Sequence, residues 1–239
     1  MQGPIKPIYL LADSQLLFWK KHGELFIDSI HEFIQGKNPK AAYIGASNDD
    51  APEYYSIFKS AMNSISITDC RMIQSNFSPA DELFLNESEI ILLSGGDVNK
   101  GWDVFVKTGI KDAIIKKYYS GAVLLGVSAG AIQLCLGGWQ EGEIYADNVI
   151  YTFKLGPFLL GVHEEKDDWS LLKRSVRVMG NTIKGVGIPS GGGIIYHPDQ
   201  SMEAIRYPFN EFSIRNNKLV HCLIYPQSQE EKDCVDMIM

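Results

Sequence analysis

Val123-Leu124-Leu125-Gly126-Val127-Ser128-Ala129-Gly130-Ala131 is the stretch on which the reading of this chain turns. The apolar run Ala122 to Leu125 has the composition of a short buried strand. It stops at Gly126, and Ser128 then stands among Gly126, Ala129, Gly130 and Ala131. This is the composition of a nucleophile elbow, a sharp strand-to-helix turn with a serine at its tip. Small neighbours are needed because the backbone approaches closely on both sides and a large side chain would block a substrate. The following helix would aim its free N–H groups at the same spot, so the amide of Ala129 is a candidate oxyanion donor. The competing reading is a glycine-rich turn with an incidental serine, and only context separates the two.

That context begins upstream, where strand and helix patterns alternate. Ile8 to Ala12 reads as a buried strand, followed by Asp13 and Ser14 as a cap and by apolar residues at roughly helical spacing as far as Gly36. Strands are expected at Ala41 to Ala46, near Ile65 to Ile73 and at Glu89 to Leu93. Helices are expected at Pro52 to Met62, at Pro79 to Leu85 behind a Ser78 cap, and at Gly109 to Tyr119. Such alternation implies an α/β protein with a doubly wound, mostly parallel sheet and helices on both faces. Ligands bind such sheets at the carboxyl ends of the strands. There the sequence offers Ser47 to Asp50, Ser94-Gly95-Gly96-Asp97 and the elbow. The second half is less regular, with a helix at Asp168 to Met179 and strands at Thr182 to Ile188 and Gly193 to His197. A hairpin over Glu211 to Ile224 is expected to turn at Asn216-Asn217. No repeat, linker or low-complexity tract interrupts residues 1–239, so a single domain is expected.

Composition narrows the class. The chain carries 22 basic and 29 acidic side chains, a formal charge of −7, with no basic block. Nucleic acid is therefore not an expected partner. Cys70, Cys135, Cys222 and Cys234 are widely spaced with no C-x-x-C pair, which argues against a zinc site or disulfide framework and fits a reducing compartment. No run approaches membrane-spanning length, so a cytoplasmic protein is expected, without a membrane partner. No cofactor and no metal are expected: histidines do not pair at ligand spacing, and Glu164, Glu165, Asp167 and Asp168 read as a solvated acidic loop.

A serine hydroxyl needs a base to become a nucleophile, usually a histidine steadied by a carboxylate. His22 and His31 fall in the first helical pattern, and His221 falls within the terminal hairpin. His163 ends the apolar run Leu159 to Val162 where it breaks into a charged loop, and is ranked ahead of His197. Glu141, Glu143 and Asp147 all follow the elbow and stay open as the acid. Asp97 is read either as a contact for a substrate amine or as a cap on the next helix.

Taken together and in order, LLSGGD, GVSAGA and LGPFLLGVH resemble the serine peptidase family of peptidase E (aspartyl dipeptidase) and cyanophycinase, over about residues 5 to 195. The resemblance implies a flavodoxin-like fold related to class I glutamine amidotransferases. It implies Ser128 as nucleophile, His163 as general base and Glu143 as the orienting acid, with Glu141 next in line. It also implies an oxyanion hole from the amides of Gly96 and Ala129. An α/β-hydrolase is disfavoured, because no HGGG-type stretch precedes the elbow. Where aspartyl dipeptidases carry an arginine after the histidine, this chain has Lys166-Asp167-Asp168-Trp169-Ser170, so Trp169 is expected at the substrate. Pro189-Ser190-Gly191 stands where the peptidase E pattern has a glutamate after proline. The expected partner is a small peptide, not strictly one beginning with aspartate, since an indole cannot grip a carboxylate as a guanidinium does. The expected activity is peptide hydrolysis through an acyl-enzyme. The alternatives are an amidase or a hydrolase of β-linked or branched peptides, and a non-catalytic binding protein. Oligomeric state is left open, a homodimer being one option.

Overall fold

A computed structural model describes residues 4–139, 149–226 and 234–235. Its centre is a seven-stranded sheet. Five parallel strands, β1 (Ile8–Leu11), β2 (Lys40–Ile44), β3 (Asp69–Ile73), β4 (Ile90–Leu93) and β5 (Val123–Val127), lie in the spatial order β1-β5-β4-β2-β3. Gly193–Tyr196 and Met202–Ile205 extend the β1 side antiparallel.

Both faces of this sheet are dry along β1, β4, β5 and most of β2, and the sequence shows why. Alternate residues of each strand go to opposite sides, and in these strands both sets are apolar apart from Lys40, whereas the edge strand β3 carries Asp69 and Arg71. Leu10, Ala42, Ile91 and Leu124 face one cluster, in which Phe105, Ile110 and Ile114 are buried. Tyr9, Tyr43, Leu92 and Leu125 face the other, with Leu17, Ile27, Phe58 and Met62. Helix α1 (Pro52–Ser64) covers the second side; α2 (Pro79–Glu87), α3 (Val98–Thr108) and α4 (Ile110–Tyr119) cover the first. Ser78 and Asp81 close a reciprocal capping box at the start of α2.

Three expectations need correction. The apolar pattern after Asp13 is not one long helix: it forms two 3-10 segments, Ser14–Phe18 and Phe26–Glu32, separated by a small hairpin. His22 and Gly23 both take positive φ, 53° and 93°, and turn the chain there. Helix α3 was not anticipated, since Gly101 and the polar Asn99 and Lys100 blur its period. The second half also holds a separate five-stranded sheet. In it Phe158–Val162 pairs parallel with Lys184–Ile188, and Phe209–Arg215, Lys218–Ile224 and Cys234–Val235 continue antiparallel. Its hairpin turns at Asn216-Asn217, both at positive φ as a type I′ turn requires. Among the described residues, no helix is long and apolar enough to cross a membrane.

Candidate active site

Strand β5 ends at Val127, and helix α5 (Ala129–Leu134) begins one residue after Ser128. Ser128 joins them at φ 49°, ψ −110°, a conformation that costs a non-glycine residue roughly 1–3 kcal/mol. Its N–H donates to the Leu11 carbonyl at 2.9 Å, which ties the strained turn to β1. The glycines around it are there for space. A Cβ on Gly126 would lie 2.6 Å from the Ala131 backbone, and one on Gly130 would meet the Leu93 carbonyl.

His163 follows the strand Phe158–Val162 of the second sheet and also takes positive φ, 48°. Its N–H donates to the Ile188 carbonyl at 2.9 Å. This brings the imidazole Nε2 to 3.0 Å from Ser128 Oγ. The other histidines lie elsewhere. His31 bonds the Ile65 carbonyl, His197 sits 3.7 Å from Glu203, and His221 stacks on Phe212 while donating to Asn210. Burial, and then the nearby Lys173 ammonium, hold the His221 imidazole below its ordinary pKa.

The loop after β4 completes the rim. Gly96 has φ 132° and presses on Ser47, whose carbonyl accepts from Asp97 N–H at 2.8 Å. Among the described residues, neither the Gly96 nor the Ala129 N–H has a hydrogen-bond acceptor. Between these groups lies a cavity of ≈ 230 Å³ that the carboxyl ends of β1, β2, β4 and β5 all reach, through Asp13, Asn48, Gly96 and Ser128. His163 closes it.

The remaining sequence-derived residues fall as follows. Glu141 and Glu143 lie outside the described residues. Asp97 caps α3, accepting from Lys100 N–H at 2.9 Å, and does not line the cavity. Trp169 is 5% exposed and packs its ring on Gly187 under the second sheet, away from the cavity lining.

Two carboxylates lie near the pair. Asp13 is the cap that the sequence implies, accepting from Gln15 N–H, but it also accepts from Gly191 N–H at 2.6 Å and lines the cavity. Glu165 is exposed, as the sequence's acidic loop implies. Burial raises its pKa, yet hydrogen bonding from Ser190, whose N–H is 3.3 Å away, and the neighbouring His163 imidazole outweigh this and hold it below the ordinary range. Short-range sequence spacing carries no signal for either contact, because both partners come from residues 189–191.

A hydroxyl on a strained strand-to-helix turn, facing an imidazole from a separate loop on an α/β sheet, defines the class of serine hydrolases. The sequence profile of peptidase family S51 matches residues 8–167, and the chain belongs to that family of serine peptidases. No curated protein matches the sequence. Among solved structures, a peptidase from an acI-B1 Actinobacterium is similar at 13% identity and a TM-score of 0.61, covering 98% of this chain and 97% of that one. A protein assigned as peptidase E from Listeria monocytogenes EGD-e is similar at 14% identity and a TM-score of 0.61, covering 84% and 98%. At such identities the likeness is one of fold.

Proposed function

We propose that this chain hydrolyses small peptides through an acyl-enzyme formed on Ser128. The observation that carries the reading is the 3.0 Å contact between Ser128 Oγ and His163 Nε2 at the mouth of the cavity. Ser128 Oγ attacks the scissile carbonyl carbon as His163 takes its proton. The amides of Gly96 and Ala129 receive the developing oxyanion. His163 then protonates the leaving amine, the C–N bond breaks, and an ester to Ser128 remains. Water attacks that ester with its proton passing to His163, and the acid product leaves as Ser128 regains its hydrogen. Glu143 is proposed to orient the imidazole, with Glu141 next in line. Specificity is not confined to an N-terminal aspartate, because among the described residues no lysine or arginine lines the cavity.

Turnover of a di- and tripeptide library by wild type and by Ser128→Ala tests the reaction. Loss of the nucleophile is expected to lower kcat by about 10⁴–10⁶-fold. Equal turnover by the two proteins would overturn the reading. The acid is tested separately: Glu143→Gln is expected to cost at least about 10²-fold and Glu165→Gln little. The opposite ranking would transfer the role to Glu165.

A further inference from the structure

The cavity beside Ser128 has a largely apolar wall. Besides the polar ends of the sheet strands, it is walled by Leu17 from the first 3-10 segment, Leu92 of β4, and Ile57 and Phe58 of α1. Leu17 and Leu92 are each 2% exposed and Phe58 1%, so this wall belongs to the packed core. Tyr54, also lining the cavity, is 55% exposed and so reaches the surface. The volume, ≈ 230 Å³, is below the roughly 300–1,000 Å³ of sites that enclose whole drug-sized ligands. It suits one side chain better than an entire peptide.

We infer that this cavity seats the side chain of the residue whose carbonyl Ser128 attacks, and that this residue is uncharged and apolar, aromatic or branched aliphatic. The inference rests on the acyl-enzyme reading above and adds the substrate class. Two physical terms decide it. An apolar side chain entering the cavity is desolvated against Leu17, Ile57, Phe58 and Leu92, a favourable transfer that grows with its area. An acidic side chain entering the same space would be stripped of water with no lysine or arginine among the described lining residues to pair it, and would meet the Asp13 carboxylate. Arg174 and Arg177 do not supply the missing charge: both are on the helix Ser170–Met179, which packs on the second sheet, and neither lines the cavity. A basic side chain would be drawn to Asp13, but both of that residue's oxygens already accept backbone N–H groups.

The test is the rate at which Ser128 is modified by a series of aminoalkyl diphenyl phosphonates that differ only in side chain, matching Phe, Leu, Ala, Lys and Asp. The readout is intact mass, with the site mapped to Ser128. The expected second-order rates place Phe and Leu above Ala by at least about 10-fold and above Asp by at least about 10²-fold, the scale of discrimination by an apolar pocket combined with a rejected charge. Ile57→Trp, on a half-buried position that lines the cavity, is expected to place Ala above Phe. Equal rates across the series, a preference for Asp or Lys, or an unchanged ranking in Ile57→Trp would overturn the inference. So would failure of the whole series while a small fluorophosphonate still labels Ser128. If the fluorophosphonate also leaves Ser128 untouched, the acyl-enzyme reading fails and the substrate class falls with it.

Discussion

The backbone N–H of His163 donates to the carbonyl of Ile188 at 2.9 Å, and this bond joins the loop that carries the imidazole to the neighbouring strand of the second sheet. Ser128 is held by the first sheet through Leu11. The hydroxyl and the imidazole therefore belong to different sheets, and their 3.0 Å contact depends on how those sheets pack. Phe158, Leu160, Val186 and Ile188 of the second sheet share one buried cluster with Leu10 and Leu124 of the first. Core packing thus sets the geometry of the Ser128–His163 pair.

Strain at the elbow is measurable. Ser128→Gly relieves the cost of φ 49°, ψ −110° for a side-chain-bearing residue, partly offset by the added freedom of glycine in the unfolded chain. A net gain of about 1 kcal/mol is expected, or about 2–4 °C in Tm for a chain of this size. Ser128→Ala keeps its Cβ in the same strained turn and is expected to leave Tm unchanged. Thermal unfolding of the two variants checks this: equal Tm values for both would mean that the turn stores no strain.

Asp81 anchors α2 and β3 together. It is 2% exposed, accepts from Arg71 at 2.9 and 3.0 Å, and accepts from the Ser78 N–H and hydroxyl. Asp81→Ala removes the capping box and the charge-assisted bonds, and is expected to cost about 2–3 kcal/mol in denaturant unfolding. Asp81→Asn is expected to fall between that variant and wild type. A loss below 0.5 kcal/mol for Asp81→Ala, as expected of surface substitutions, would contradict the assignment.

Glu164 has the opposite character from its neighbour Glu165. Its Oε2 is buried with no hydrogen-bond partner among the described residues. Burial raises its pKa above the ordinary carboxylate range, a bond from the Leu172 backbone only partly offsets this, and Asp167 adds to the rise. The folded state therefore holds this proton more tightly than the unfolded chain does. The stability it contributes is fully present below the unfolded carboxylate pKa and is lost as pH climbs through the raised folded value. Glu164→Gln is expected to raise Tm relative to wild type near neutral pH, with the difference shrinking toward pH 4. A difference independent of pH would refute this.

Cys70 and Cys135 are not expected to act as nucleophiles at working pH. Burial pushes Cys70 up to about 11, and complete burial pushes Cys135 well above the ordinary thiol value. At pH 8 the thiolate fraction of Cys70 is about 100-fold below that of a free cysteine, so iodoacetamide should modify it correspondingly slowly in the folded protein. Peptide mapping after timed alkylation checks the rate, and modification of Cys70 at the speed of free cysteine would contradict it.

Much of this was legible in the sequence because it is local. A short apolar run ending in small residues around Ser128 can form little other than a strand and a tight turn, and Ser78 ahead of Pro79 announces α2. The hairpin after Lys20 was hidden because Leu16, Leu17, Leu25 and Phe26 mimic helical spacing while His22-Gly23 reverses the chain. The place of Trp169 after the histidine implies a position at the substrate, but the left-handed turn at Asp168 and Trp169 directs the chain so that the ring is buried on Gly187. The roles of Asp13 and Glu165 depend on residues 189–191 arriving from far along the chain, and no local pattern encodes that approach.

Active-site labelling tests the central claim most directly. A fluorophosphonate probe at neutral pH, with the adduct located by peptide mass, should mark Ser128 in wild type. It should mark nothing in Ser128→Ala, and should react at least about 10²-fold more slowly with His163→Ala. Labelling of His163→Ala at the wild-type rate would show that the imidazole 3.0 Å away does not activate the hydroxyl, and the account would fail.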